Sequence, residues 1–483
     1  MATIDAYLGL DLGTQGLKAL AITDDGRVLW RTRVAYPTQY LHEGWEEQSP
    51  GDWQDAVNQV LAHAASLPYK WRALGISGQM HTTVMCNGEG QALRNAILWS
   101  DRRSDQVVND VKKKFGVDYL RSLVGNVPLT NFSLMHLLWV RQYESERYRE
   151  IRHVAIAKDW IRWWLTGEWN IDPTDASGTY LLDVENRTWS TDLARDLEVD
   201  LSWWGSLRNS HEWGGVLIRG PEKLRGLPVV VGAGDQAASA VGTGLSTGEL
   251  GLSLGSSGVL FWLINPFSIP KNNSVHVFCH ALNGMWHWMT VTQSAATAYK
   301  WMQEQFYPNS TYQDVDADVA RVALGAEGVI FWPYLSGERS PILEPKAWSG
   351  FVGLTASHGR QVLARAVMEG VTFSLKHCWD AMNSEETIVP QQIVLTGGGS
   401  KSSIWNQIVA DVLNMPIMII TDDGAAAGAA WLARCAFENE WTQYPRHVVS
   451  EVVPQARNVR QYREIYDQYR DIVSHLEPLW AYL

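Results

Sequence analysis

The pattern of hydrophobic positions predicts three strands joined by tight turns at the start of the chain. Residues 6–12 are apolar at alternate and then successive positions, residues 18–23 (KALAIT) resume the pattern, and RVLWRTRV continues it after the hairpin signal DDG. Apolar residues at helical spacing in GDWQDAVNQVLAHAAS follow, and then a buried strand, WRALGISGQM. Strands that alternate with helices in this way predict a wound α/β domain.

The same pattern returns near the middle of the chain. Residues 248–264, GELGLSLGSSGVLFWLI, again read as strand, Gly/Ser turn and strand, and they share the pattern LG-x-x-G with residues 12–16. Later, QQIVLTGGGSKSSIWNQIVADVLNMPI predicts a strand, a triple-glycine turn and an amphipathic helix. Because 483 residues exceed what one core accommodates, the repeated opening predicts a duplicated fold, with one domain at residues 1–245 and another at 246–483.

Composition narrows the class of partner. The 40 basic and 52 acidic side chains give a formal charge of −12, which repels nucleic acid and anionic membranes. The four cysteines have no CxxC spacing, so neither a zinc site nor a disulfide framework is expected. The N-terminus lacks a secretory signal pattern, and no stretch of about 18 apolar residues occurs. The sequence therefore predicts a cytoplasmic protein that binds neither nucleic acid nor membrane.

The first turn, DLGTQG at residues 11–16, has the groups that could hold phosphate. Backbone N–H groups, a hydroxyl, an amide and a nearby ammonium group come from Gly13, Thr14, Gln15, Gly16 and Lys18. Asp11 would repel phosphate unless a divalent cation lay between them, as Mg²⁺ does at nucleotide sites. The alternative is an ordinary hairpin that binds nothing. The combination suits Mg-ATP.

The segment GAGDQ places Asp235 at the end of a valine-rich strand. Ligands gather at the carboxyl ends of strands in wound sheets, which makes this carboxylate a candidate general base. The alternative is that Asp235 caps the helix of small residues that follows it. The residues alone leave both roles open.

Two further segments offer groups that could bind a polyol. GISGQMHTTV places Gln79, Met80 and His81 just after a buried strand, where an ordinary loop histidine is the alternative. AILWSDRRSD adds Trp99 and Asp101, a ring face beside a carboxylate, although SDRR could equally be a salt-bridged turn. Each segment is compatible with either interpretation.

Eight stretches follow one another along the chain: LGLDLGTQGLKA, ALGISGQMH, AILWSDRR, PVVVGAGDQAASAVGTG, LSLGSSGV, PYLSGERSP, GFVGLTASHGRQVLARAVMEG and LTGGGSKSSIWNQIVAD. In this order they resemble the FGGY family of carbohydrate kinases over essentially the whole chain, and its xylulokinase branch most closely. GQMH, where glycerol kinases have an R-E-T triplet, is the feature that indicates this branch.

Several positions depart from the family pattern. His136 stands where a lysine is usual, Val362 where a polar residue is usual, and Ser256 where threonine is commoner. Gln236 follows the candidate base where some xylulokinases have asparagine, and Thr82 replaces a glycine. None of these removes a catalytic group. Thr82 and Gln236 lie close enough to the expected pocket to leave the identity of the sugar open.

The resemblance implies an α/β fold of two actin-like ATPase (ribonuclease H-like) domains that face each other across a catalytic cleft. Two hairpins would clasp the phosphates of ATP from opposite domains, and a glycine-rich turn would hold the adenosine. The residues in question are Gly13, Thr14, Gln15 and Lys18 in the first hairpin, Gly255 and Ser256 in the second, and Gly397, Gly398 and Gly399 in the turn. A hinge is expected at residues 242–248, GTGLSTG.

The resemblance also implies a reaction. Asp235 would accept the proton of the 5-hydroxyl of D-xylulose as this oxygen attacks the γ-phosphorus of ATP, and Asp11 would hold Mg²⁺. The sugar would contact Asp235 together with Gln79, Met80, His81, Trp99 and Asp101. The products would be ADP and D-xylulose 5-phosphate, and the family leaves room for a homodimer.

Two rival functions remain at this stage. The acceptor could be another ketopentose or polyol, such as ribulose or ribitol, because pockets that differ by one hydroxyl cannot be told apart from the sequence. The chain could also be an ATP-binding module without kinase activity, because the same fold serves such proteins. ADP release that depends on sugar separates these alternatives.

Overall fold

The computed structural model describes residues 4–384, 388–421 and 423–482. The strands of the first half are β1 (Ile4–Gly13), β2 (Gly16–Ile22), β3 (Val28–Val34), β4 (Gln39–His42), β5 (Trp45–Gln48), β6 (Tyr69–Gly78), β7 (Thr83–Cys86), β8 (Ala96–Ile97), β9 (His153–Ile156), β10 (Asn170–Ile171), β11 (Leu182–Asp183), β12 (Thr188–Trp189), β13 (Ser206–Leu207), β14 (Trp213–Val216), β15 (Pro228–Val230) and β16 (Ala233–Gly234). Its helices are α1 (Pro50–Ser66), α2 (Asp105–Phe115), α3 (Val117–Val124), α4 (Ser133–Tyr143), α5 (Ser145–Glu150), α6 (Ala157–Thr166), α7 (Pro173–Ser177), α8 (Thr191–Asp196) and α9 (Asp235–Gly242).

The strands of the second half are β17 (Glu249–Leu254), β18 (Gly258–Ile264), β19 (His276–Cys279), β20 (Trp286–Thr292), β21 (Ile330–Trp332), β22 (Gly350–Val352), β23 (Gln392–Thr396), β24 (Ile417–Ile420) and β25 (Val448–Val452). Its helices are α10 (Ala296–Phe306), α11 (Tyr312–Val319), α12 (Arg360–Met382), α13 (Ser403–Leu413), α14 (Gly424–Glu438) and α15 (Ala456–Leu476). Among the residues described, none of the helices has the length and apolar character needed to cross a bilayer.

The first half is built on a seven-stranded sheet in the order β14-β15-β6-β1-β2-β3, with β16 also paired to β6. The predicted hairpin is present: β1 runs antiparallel to β2, with Gly13 opposite Gly16, and β2 runs antiparallel to β3. Helix α1 then returns the chain so that β6 lies parallel to β1. The apolar side chains of β1 and β6 are buried on both faces, as in wound sheets covered by helices.

The second half repeats this arrangement in the order β19-β20-β18-β17-β23-β24-β25. Strand β17 is antiparallel to β18 and parallel to β23, as β1 is to β2 and β6. The shared LG-x-x-G turn therefore occupies the same place in both sheets, between the central strand and its antiparallel neighbour. This confirms the duplication inferred from the sequence.

A five-stranded sheet, β4-β5-β8-β7-β9, lies beside the first main sheet and is inserted in the first half. Strand β5 ends at Gln48, and β7 begins directly after the segment that contains His81. The insertion thus brings its own side chains to the carboxyl end of β6.

A helix of the second half packs on the sheet of the first half. Helix α14, late in the chain, packs on β1, β2 and β6 of the first sheet and crosses α9. The approach is very close: a Cβ added to Gly9 would lie 1.9 Å from the carbonyl oxygen of Ala426, and one added to Gly428 would lie 1.8 Å from that of Ala238. The small residues of α14 therefore serve close helix packing.

The segment between α9 and β17 is held by the loop that follows α14. Arg446 Nε donates to the carbonyl oxygens of Thr243 (3.1 Å) and Gly244 (3.0 Å), and Arg446 Nη1 lies 2.7 Å from a carboxylate oxygen of Glu249. Gln443 donates to the hydroxyl of Ser246 at 2.7 Å. The connection between the halves is therefore braced by residues more than 190 positions away.

Candidate functional site

Three strands of the first sheet end side by side. In the parallel register Leu12 lies opposite Gly78, and Gly234 also lies opposite Gly78. The residues that follow each strand therefore meet at one edge, and the backbone N–H of Gln79 donates to the carbonyl oxygen of Leu12 at 2.9 Å. The phosphate-type turn, the Gln79–Met80–His81 segment and Asp235 begin at this edge, where wound sheets bind ligands.

Asp235 is the first residue of α9 and is partly buried. The backbone N–H of Gly234 donates to Thr174 Oγ1 at 2.8 Å, which fixes the turn before the helix. Burial, together with the negative charge of Asp11, raises the pKa of Asp235 to about 7, against hydrogen bonds from Gln236 that favour the charged form. A carboxyl group with a pKa near the working pH suits a general base.

The first turn, residues 11–16, is connected to the segment Gln79–His81 by a chain of hydrogen bonds. Trp99 Nε1 donates to Thr14 Oγ1 (3.0 Å), and Thr14 Oγ1 donates to Gln79 Oε1 (3.1 Å). Gln48 donates to the carbonyl oxygen of Thr14 (2.6 Å) and accepts from Gln79 Nε2 (2.9 Å). Gln48 was not expected, because nothing in GWEEQSP indicates that β5 ends beneath this turn.

The charged residues of the first hairpin lie on its open side. Lys18 is opposite Asp11 in the register of β1 and β2, and its Nζ lies 3.6 Å from Asp11 Oδ2. Lys18 is largely exposed, whereas the Asp11 side chain is buried. Gln15 is exposed at the tip, where its carbonyl oxygen accepts from Arg33 at 3.2 Å. An exposed ammonium group on a flexible stem can reorient when a ligand arrives.

Met80 and His81 are both buried beside the turn of Asp235. A Cβ added to Gly234 would lie 2.8 Å from Met80 Cγ, so the methionine side chain packs directly on that turn. His81 Nδ1 lies 2.7 Å from the carbonyl oxygen of Gly178, which only accepts, so Nδ1 carries the proton and Nε2 of the neutral ring is an acceptor. Burial lowers the pKa of His81 to about 4.

The His81 ring is enclosed from both halves of the chain. It makes an edge contact with Phe132, with ring centroids 5.2 Å apart, and lies 6.0 Å from the ring of Phe278 on β19. Phe278 lies in the second half, and its sequence neighbours carry no motif that indicates this contact. The segment Gln79–His81 is therefore bordered by side chains of both halves.

Asp101 has a different role from the predicted one. Its two carboxylate oxygens accept from the backbone N–H groups of Arg103 (2.8 Å) and Glu46 (2.6 Å), and from the Arg103 guanidinium at 2.8 and 2.9 Å. The pair is fully buried and extends to Glu47. These four bonds use the lone pairs that a sugar hydroxyl would need, so Asp101 is corrected from a sugar ligand to a structural residue.

The second hairpin and the glycine-rich turn form one surface. The carbonyl oxygen of Gly255 accepts from the N–H of Ala296, the first residue of α10, at 2.8 Å, and that of Ser256 accepts from Ala295 at 2.9 Å. A Cβ added to Gly397 would lie 2.9 Å from the backbone nitrogen of Gly255, whereas one added to Gly398 would meet nothing within 4 Å. The structure therefore brings Gly255 and the turn of Gly397, Gly398 and Gly399 together.

A small cavity lies between α9 and the second sheet. It measures about 50 Å³ and is lined by Gln236 of α9, by Thr243 directly after this helix, and by Ser253 and Thr396 at the ends of β17 and β23. The helix that begins at Asp235 thus faces the strand ends that precede the second hairpin and the glycine-rich turn.

The departures from the family pattern have structural explanations. Thr82 Oγ1 accepts from the backbone N–H of Trp99 at 3.3 Å, and Val362 is buried in the core of the second half. The hydroxyl of Thr83 donates to the carbonyl oxygen of His81, so His136 Nδ1 must donate to this hydroxyl at 2.8 Å. His136 therefore supports the strand after His81 from behind.

The carboxylates suit a magnesium ion that arrives with a nucleotide. In the part of the chain that the structure describes, no three His, Cys, Asp or Glu side chains form a metal cluster. Mg²⁺ at nucleotide sites is held by one or two carboxylates, phosphate oxygens and water. The carboxylate of Asp11, whose charge raises the pKa of nearby Asp235, fits such a role.

Comparison with known proteins gives matches over both halves. Residues 6–242 match the N-terminal domain, and residues 250–437 the C-terminal domain, of the FGGY family of carbohydrate kinases. The xylulose kinase of Escherichia coli K12 is 36% identical over 98% of this chain and 100% of that protein, and that of Bacillus subtilis 168 is 31% identical over 98% and 97%.

Solved structures agree over the same length. A xyloylose kinase from Brucella ovis is 34% identical with a TM-score of 0.90, covering 98% of this chain and 100% of that chain. A ligand-bound xylulose kinase from Lactobacillus acidophilus, at 24% identity over 99% of both chains, has a TM-score of 0.93 and supports the fold. The expected fold of two actin-like ATPase domains is confirmed. The chain belongs to the FGGY family of carbohydrate kinases and is an ATP-dependent sugar kinase.

Proposed function

We propose that this kinase transfers the γ-phosphoryl group of Mg-ATP to the 5-hydroxyl of D-xylulose, with Asp235 as the general base. The observation that carries the proposal is the meeting of Asp235, the Gln79–His81 segment and the first hairpin at adjacent strand ends. The names of the relatives that cover the chain favour D-xylulose over ribulose or ribitol as the acceptor.

Asp235 removes the proton of the attacking hydroxyl. Its raised pKa, about 7, makes it a stronger base than an exposed aspartate while it remains substantially ionised at neutral pH. Its place as the first residue of α9 puts it on a rigid element, so the sugar oxygen is held in line with the γ-phosphorus at little entropic cost at the moment of reaction.

The sugar is held by the segment that follows β6. His81 Nε2 accepts a hydrogen bond from a sugar hydroxyl, since its Nδ1–H is used by Gly178. Met80 supplies an apolar wall beside Asp235, and the Trp99 ring borders the pocket, fixed by its bond to Thr14. Gln79 holds this segment to the phosphate hairpin.

The nucleotide is held between the halves. The first hairpin, with Gly13, Thr14, Gln15 and Lys18, and the second, with Gly255 and Ser256, bind the phosphates, and Gly397, Gly398 and Gly399 lie against the adenosine. Asp11 would hold Mg²⁺, which supplies positive charge to the β- and γ-phosphates. We propose the division at residues 1–245 and 246–483 as the two bodies that form this site.

A panel of acceptors with coupled detection of ADP tests the proposal. D-xylulose, D-ribulose and ribitol are compared for wild type, for Asp235→Asn and for the matched surface variant Asp192→Asn, whose side chain is 56% exposed. We expect D-xylulose to have the highest kcat/KM, and Asp235→Asn to lower kcat at least about a hundredfold, the usual contribution of a positioned base.

Three results would contradict the proposal. A higher kcat/KM for ribulose or ribitol than for D-xylulose would contradict the assignment of D-xylulose as the acceptor. Turnover by Asp235→Asn within a few-fold of Asp192→Asn would contradict the assignment of Asp235 as the general base. ADP release that does not respond to any sugar would instead indicate an ATP-binding module.

A further inference from the structure

The segment PYLSGERSP of the second half places a charged residue, Arg339, at the site described above. Its neighbour Glu338 is buried, and Glu338 Oε1 accepts from the backbone N–H groups of Gln293 (2.7 Å) and Arg339 (2.8 Å). The N–H of Ser340 donates to the carbonyl oxygen of Val291 at 3.0 Å. These hydrogen bonds fix the backbone of Arg339 against the end of β20.

The Arg339 side chain reaches the first half of the chain. Its guanidinium carbon lies 5.7 Å from the centre of the Trp99 ring, within the range of a cation–π contact. Trp99 is the ring that donates to Thr14 of the first hairpin. Arg339 also contributes positive charge that lowers the pKa of His81, so its guanidinium lies near the ring that faces the sugar.

The donors of this guanidinium have no protein acceptor. Across residues 4–384, 388–421 and 423–482, the Arg339 guanidinium donates no hydrogen bond and joins no ion pair. Its neighbour Glu338 makes no ion pair with this guanidinium and instead accepts from the backbone N–H groups of Gln293 and Arg339. The Arg339 side chain is partly exposed, so its five N–H groups are accessible to a ligand with oxygen acceptors.

The pocket needs donors of this kind. The two sugar-facing groups of the first half, the Asp235 carboxylate and Nε2 of His81, can only accept. A ketose has hydroxyl groups, which suit these acceptors, and one carbonyl oxygen, which can only accept. An arginine from the opposite half complements this oxygen.

We propose that Arg339 is a sugar-binding residue contributed by the second half of the chain, and that its guanidinium donates to the carbonyl oxygen of a bound ketose. This inference rests on the proposed function, since it assumes a ketose acceptor. Arg339 also links closure of the cleft to the sugar, because the residue and its partners His81 and Trp99 come from opposite halves.

The test compares Arg339→Met with the matched variant Arg219→Met. Arg219 also lies over a tryptophan, Trp164, at 5.8 Å, but on the surface of the first half. For each protein, KM for D-xylulose, KM for ATP, the slow release of ADP without sugar and calorimetric binding of D-xylulose are measured. Arg339→Lys keeps the charge without the fork of donors, and serves if the methionine variant does not fold.

We expect Arg339→Met to raise KM for D-xylulose, and its calorimetric Kd, about tenfold or more, the effect of losing a hydrogen bond from a charged donor. KM for ATP and ADP release without sugar should stay within twofold of Arg219→Met. Xylitol and D-arabinitol are D-xylulose reduced at the carbonyl. Their Kd should rise less in Arg339→Met than the Kd of D-xylulose does.

The proposal is overturned if KM for D-xylulose stays within twofold of the control, or if KM for ATP rises by the same factor, which would place Arg339 on the phosphates. An equal increase in Kd for the two polyols would overturn the assignment of the ketose carbonyl oxygen as the acceptor of the Arg339 hydrogen bond. Failure of wild type to phosphorylate D-xylulose would instead overturn the proposed function, and the variants would then be compared on the acceptor that the panel identifies.

Discussion

The surroundings of His81 fix both its backbone conformation and the tautomer of its ring. Its backbone has a φ of 67°, a left-handed conformation that costs a residue other than glycine about 1–3 kcal/mol. Its carbonyl oxygen accepts from the hydroxyls of Thr83 and Ser133, both at 2.9 Å, and its Nδ1–H is bound by Gly178. The surroundings thus fix the backbone and the tautomer together, and only Nε2 is left to a ligand.

We expect His81→Ala to raise KM for the sugar about fivefold, the effect of one lost hydrogen bond of about 1 kcal/mol, with KM for ATP nearly unchanged. The matched control is His42→Ala, which removes an exposed histidine. Steady-state kinetics with each substrate varied in turn separate the two constants. Equal increases in both would indicate that His81 maintains the structure rather than the sugar contact.

Among the elements, the pair of helices α9 and α14 depends on the absence of side chains at their crossing. Gly428 approaches the carbonyl oxygen of Ala238, and Gly242 approaches α14 in turn, where an added Cβ would lie 2.7 Å from the backbone nitrogen of Gly428. Because α9 begins at Asp235 and α14 packs on β1, a displacement at the crossing would be transmitted to the base and to the first hairpin.

We therefore expect Gly428→Ala to lower the free energy of unfolding by at least about 1–3 kcal/mol, the range for overpacking of a close contact. Gly51→Ala is the matched control, since Gly51 is exposed in α1, where alanine is favoured over glycine by up to about 1 kcal/mol. Thermal unfolding monitored by circular dichroism measures both. A melting temperature of Gly428→Ala equal to that of the control would show that the two helices can separate without cost.

The elements that could be predicted are those whose signal is local. The hairpins that end at Gly16 and Gly258, and the helix that starts at Asp235, follow from residues a few positions apart. The exchange of α14 could not be predicted, because an alanine-rich helix fits any close-packed surface. Gln48 contacts Gln79, 31 positions away, and no local pattern marks it. Arg339 lies in the stretch PYLSGERSP, but this stretch does not indicate the contact with Trp99, 240 positions away.

In the whole molecule, the proposed site is divided between two halves, which are linked by residues 243–248 and also by α14, the helix of the second half that packs on the first sheet. The first half carries Asp235, the sugar segment and one hairpin, whereas the second carries the other hairpin, the glycine-rich turn and Arg339. Gly242 is fixed at the helix crossing, so rotation within the connection between α9 and β17 must come from residues 243–248, where Gly244 and Gly248 have φ of 60° and 87°. The bonds from Arg446 to Thr243 and Gly244 brace this segment from one side.

We expect the cleft to close when both substrates bind, since the two hairpins can meet the phosphates together only if the halves approach, and closure excludes water that would hydrolyse ATP. Small-angle scattering of Asp235→Asn with D-xylulose and Mg-ATP avoids turnover during the measurement. The radius of gyration, about 23 Å for a compact chain of this length, should fall relative to the protein alone and to the protein with Mg-ATP only.

In wild type, sugar should accelerate consumption of ATP by orders of magnitude over slow hydrolysis through the open cleft. An unchanged radius with both ligands saturating, together with full activity of wild type, would show that the site is preformed and that residues 243–248 are not a hinge.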